Sequence, residues 1–138
     1  MKTIDVSDLL GVWFHDVEVG HISVDYASRV VELECIIPVG AWNSPNRLGI
    51  TNGEIKGCLV FSGLLYFVME PPASNYPYED GSAIVITSEG PVMPGKIDMS
   101  YVSKLPQDLS DDAFLHWFFV NDWNAFIFVA ATGVSFHS

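Results

Sequence analysis

Short runs in which apolar and polar residues alternate, parted by breaks rich in Gly, Pro and Asn, constrain this chain more than any other feature of it. A two-residue period turns one face of an extended segment toward a core and the other toward water, so the runs predict strands. Val31, Leu33, Cys35 and Ile37 alternate with Glu32 and Glu34 until Pro38 interrupts, which describes a half-exposed strand with an acidic outer face. Between His15 and Tyr26 the apolar positions are Val17 and Val19, then Ile22, Val24 and Tyr26, a phase slip at Gly20-His21. A β-bulge absorbs such a slip. Asp25-Tyr26-Ala27-Ser28 reads as the hairpin turn that follows.

Further along, residues 39–53 hold Gly40, Pro45, Gly49 and Gly53 and read as a long loop. Residues 55–69 are apolar on both faces with Gly63 near the middle, either a central strand with a bend or two strands meeting at a corner. Pro71, Pro72, Pro77 and Gly81 mark another loop, 83–87 a short strand, and 89–95 a Pro/Gly turn; Ile97, Met99 and Tyr101 alternate with polar neighbours. Residues 3–11 suit a short turn of helix or an irregular lead-in. Ser110 before Asp111 and Asp112 has the form of an N-cap with an acidic first turn, yet aromatic-rich 114–120 suits a strand, and strand is the expectation. Asn121-Asp122-Trp123-Asn124 then makes the turn of a hairpin whose second strand is 126–131. The expectation is an all-β fold: an antiparallel β-sandwich or flattened, partly open barrel with long loops and at most one or two short helices.

At 138 residues the chain fits one domain, 1–138, which buries roughly two-thirds of its unfolded surface. Hydrophobic residues at 49% and aromatics at 13% supply the apolar area that a disordered acidic chain lacks. The longest apolar stretches, 59–69 and 126–134, fall short of a membrane helix. With no basic segment leading into an apolar core and a small-residue cleavage site, the reading is cytoplasmic. Cys35 and Cys58 have no CxxC partner or nearby His, and their opposite phase on alternating segments predicts reduced, unbonded structural thiols rather than nucleophiles.

Charge narrows the partners. Asp and Glu number 17 against 6 Lys and Arg, a formal net charge of -11, with no Lys or Arg between Lys56 and Lys96 or after Lys104. Nucleic acid and anionic membrane are disfavoured, and a basic protein is favoured. Tyr76 and Tyr78 beside Glu79 and Asp80 join aromatic area to negative charge, as recognition rims do; Trp42 and the Asp111-Asp112 pair complete the predicted partner-binding set. A homodimer is compatible with the sequence. No catalytic residue, metal ligand or cofactor is expected.

Two other classes compete with this reading. A small-molecule carrier would line a barrel interior with Phe61, Phe67, Trp117, Phe119, Phe126 and Phe128. A metal-dependent hydrolase would need His15, Asp16, His21, His116 and Asp122 to converge, although their spacing matches no ligand pattern. The parity of His15 with Val17 and Val19 instead tucks it under the sheet, with Asp16 capping the start of the strand.

Trp13-Phe14-His15-Asp16 opening a bulged strand, and Phe118-Phe119-Val120-Asn121-Asp122-Trp123-Asn124-Ala125-Phe126-Ile127 in a late hairpin, make the chain similar to small bacterial all-β proteins of unassigned activity, some of them proposed immunity proteins of polymorphic toxin systems. The likeness covers residues 13–26 and 117–131. It implies a toxin-neutralising or other binding role, with the toxin domain as partner, and supplies no catalytic residues.

Overall fold

Most of the period-two runs become strands, and the described residues form nine in all. The structure, a computed structural model, describes residues 1–39, 53–78, 83–92 and 109–138. In chain order these contain a short helix α1 (Val6–Leu10), then β1 (Val17–Asp25), β2 (Val30–Val39), β3 (Gly53–Ser62), β4 (Tyr66–Met69), β5 (Ile84–Ile86), β6 (Ser88–Pro91), β7 (Phe114–Val120), β8 (Ala125–Ala131) and β9 (Gly133–His137). Two antiparallel sheets result, one ordered β5-β1-β2-β3-β9 and the other β4-β8-β7-β6. They make an all-β, sandwich-like fold, and neither sheet closes into a barrel. Among the described residues, no helix is long and apolar enough to cross a membrane.

Alternation decides which side chains meet between the sheets. Val31, Leu33, Cys35 and Ile37 of β2 and Ile55, Leu59 and Phe61 of β3 are buried against Phe114, Phe118, Ile127 and Val129 from the smaller sheet. The Phe61 and Phe118 rings meet edge to face at 6.1 Å, a geometry that adds to their area burial. The β1–β2 register shifts between Val19 and Ile22, the bulge expected at Gly20-His21. Asp25 Oδ1 accepts from the Ala27 and Ser28 N–H groups, closing the hairpin.

The 55–69 segment takes the corner form. β3 and β4 belong to different sheets, and the passage between them runs through Gly63 at φ 59°, where a Cβ would strike the Thr132 hydroxyl. Thr132, which links β8 to β9, donates its N–H to the Ser62 carbonyl at 3.2 Å. Both of these passages therefore lie at one spot. Gly57 answers a second close approach: a Cβ there would sit 2.7 Å from the His137 carbonyl oxygen and inside the Phe136 ring.

Several expectations need correction. Pro38 does not interrupt β2; it pairs with Glu54 beyond the last β1 partner, Glu18↔Ile36, where the strand has one neighbour and a missing N–H is tolerated. The 89–95 turn is replaced in its first part by β6, whose Glu89 and Gly90 pair with Phe118 and Trp117. Ser110 caps no helix: its hydroxyl donates to Asp112 at 2.6 Å and its carbonyl accepts from Ala113 N–H at 3.0 Å, a turn that leads straight into β7. The turn expected at 121–124 is present and is a single 3₁₀ turn, Asn121–Trp123. Strand β9 lies beyond the last segment expected to be extended, although Val134 and Phe136 alternate with Ser135 and His137. The alternation at Ile97, Met99 and Tyr101 falls outside the described residues.

Candidate functional site

Helix α1 brings two polar groups to a cleft. Asp5 is its N-cap, accepting from the Asp8 N–H at 3.1 Å, and Gly11 ends it by donating to the Ser7 carbonyl at 2.8 Å. Val6 and Ser7 are thereby turned inward. A cleft of about 300 Å³ opens between α1, the lead-in to β1 and β6. Ser7 and Glu89 are its deep members, and Asp5, Asp8, Trp13 and His15 stand around its exposed margin.

Behind the cleft a buried polar chain runs into the core. The Ser7 hydroxyl donates to Glu89 Oε1. Glu89 Oε2 lies 2.5 Å from His116 Nε2, the carboxylate side chain being 11% exposed and the imidazole 0%. Glu89 Oε2 and both imidazole nitrogens are buried, and among the described residues none of the three makes a hydrogen bond of ordinary geometry. Phe118 meets the His116 ring edge-on at 4.8 Å. Burial pushes the Glu89 carboxyl up, but the close contact and charge of His116, the Ser7 hydroxyl and the charge of His15 outweigh it and hold the group below its ordinary range. The carboxylate stands between hydroxyl and imidazole, so His116 is not placed to take the Ser7 proton. This is not the nucleophile–base–orienter order of acyl transfer.

The His and Asp residues weighed for a hydrolase do not come together. His15 is at the cleft, 3.6 Å from Asp16, with both side chains about half exposed; it is not tucked under the sheet. The reason is Asp16, whose φ of 60° makes a turn that breaks the parity carried back from Val17. Phe14 takes the buried place instead. His21 is exposed at the bulge and Asp122 is exposed in the 3₁₀ turn; neither lines the cleft. Among the described residues no three His, Cys, Asp or Glu are grouped to hold a metal ion. Ser7 and Glu89 were missed because nothing in their local sequence marks them; only the fold joins them to His116.

The partner-binding set is divided. Tyr76 packs edge-on to Tyr78 at 5.2 Å and to Trp123 at 6.1 Å, an aromatic corner whose outer ring, Tyr78, is 76% exposed. Asp111 and Asp112 are exposed in the turn before β7, where the Ser110 hydroxyl holds the Asp112 carboxyl below its ordinary range. Trp42, Glu79 and Asp80 lie outside the described residues. The six aromatics proposed for a carrier do not share an interior: Phe61 and Phe67 face the core between the sheets, while Trp117, Phe126 and Phe128 group in a second cluster with Leu115 and Tyr66 on the opposite face of the smaller sheet. Phe119, 4.8 Å from Phe126, belongs to that outer group.

A larger charged feature is the outer face of the five-stranded sheet. Alternation places Glu18 and Asp25 of β1, Glu32 and Glu34 of β2 and Glu54 of β3 on it, all exposed. Among the described residues its strands carry one Lys or Arg there, Lys56. Cys58 reports the local field: burial first, then the charges of Glu32 and Glu34, push its thiol above the ordinary value. Cys35, on the inner face, is pushed up to about 12 by burial.

No family model, curated protein or solved structure matches this chain.

Proposed function

We propose that this is a non-catalytic, cytoplasmic binding protein of the immunity type, which occludes the basic surface of a toxin domain. The observation that carries the reading is the acidic outer face of the five-stranded sheet, where Glu18, Glu32, Glu34 and Glu54 stand on paired strands with Lys56 as the opposing charge. Such a face steers a basic partner in solution and, once docked, excludes water and substrate from it. The Tyr76–Tyr78–Trp123 corner offers aromatic area of the kind that anchors an interface.

The test sequences the neighbouring genes for a large secreted protein with a toxin-like C-terminal domain and uses that domain. Co-expression of this chain should protect cells from that domain, and stopped-flow association should slow as salt screens the field over about 8 Å at physiological ionic strength. Replacing Glu32→Lys together with Glu34→Lys should slow association by at least about tenfold and change dissociation much less. An acidic partner, or association indifferent both to salt and to the double reversal, refutes the reading.

A further inference from the structure

We draw no further inference here: the strongest candidate, the aromatic outer face of the smaller sheet around Trp117, Phe126 and Phe128, carries nothing, because among the described residues nothing shows what covers it.

Discussion

Replacing His116 with leucine removes the partner of a carboxylate that the fold has already taken out of water. Glu89 is 11% exposed and His116 fully buried, so leucine fills much of the ring's space and leaves Glu89 Oε2 facing apolar neighbours, with Ser7 on Oε1 as its remaining contact in the buried chain. Breaking a buried pair from one side costs about 3–5 kcal/mol, whereas replacing both partners by apolar residues costs much less. His116→Leu should therefore destabilise by about that amount at neutral pH in urea unfolding, and the double variant with Glu89→Leu should recover about 2 kcal/mol or more of it. The pH dependence carries a sign. In the native protein the Glu89 carboxyl is held below its ordinary 4.5, so it contributes stability that is complete above that value and lost as pH falls through the lower folded one. In the variant burial is left dominant, the carboxyl rises and takes up its proton more readily, and the deficit relative to the native protein narrows on acidification. A deficit below about 1 kcal/mol at neutral pH, or one that widens in acid, would refute this account of the pair.

Two further predictions concern packing and reactivity. Gly57→Ala should lower stability by about 1–3 kcal/mol, since the new methyl must displace the Phe136 ring and the β9 backbone; a neutral or raised urea midpoint contradicts that packing. With a disulfide reagent at mildly basic pH, Cys58 should react slowly and Cys35 not at all until the chain unfolds, when both should titrate, and Glu32→Gln with Glu34→Gln should speed Cys58. Native Cys35 reacting as fast as Cys58, or two thiols missing in denaturant, counts against it.

What could be read in the sequence was whatever depends on neighbours along one strand. The bulge at Gly20-His21, the acidic face of β2 and the 121–124 turn all follow from local alternation and turn chemistry. Parity failed where a single residue reset it: Asp16 in a left-handed conformation exposes His15 and buries Phe14. The Pro/Gly content of 89–95 masked β6, because Gly90 and Pro91 pair at the margin of a sheet, where such residues are tolerated. The cleft was beyond reach for another reason. Ser7, Glu89 and His116 belong to a helix and two strands far apart in the chain, and only the pairing of β6 with β7 and the packing of α1 beside them bring a hydroxyl, a carboxylate and an imidazole into line.

The crossing at Gly63 and Thr132 sets an order of assembly. Strands β1, β2 and β3 follow one another and pair as a meander, which can form from local contacts alone. The other edge of β3 pairs with β9, and between Ser62 and Gly133 the chain leaves that edge for the smaller sheet and places β5 on the far side of the meander, beside β1. Closing so long an excursion adds little entropy for each extra residue, yet pairing strands so distant in sequence slows folding. Until both sheets are in place Val31, Leu33 and Phe61 face water beside an open strand edge, the condition in which chains aggregate. Glu18, Glu32 and Glu34 lie on the reverse of that same meander. In half-folded copies of the chain their shared charge opposes association.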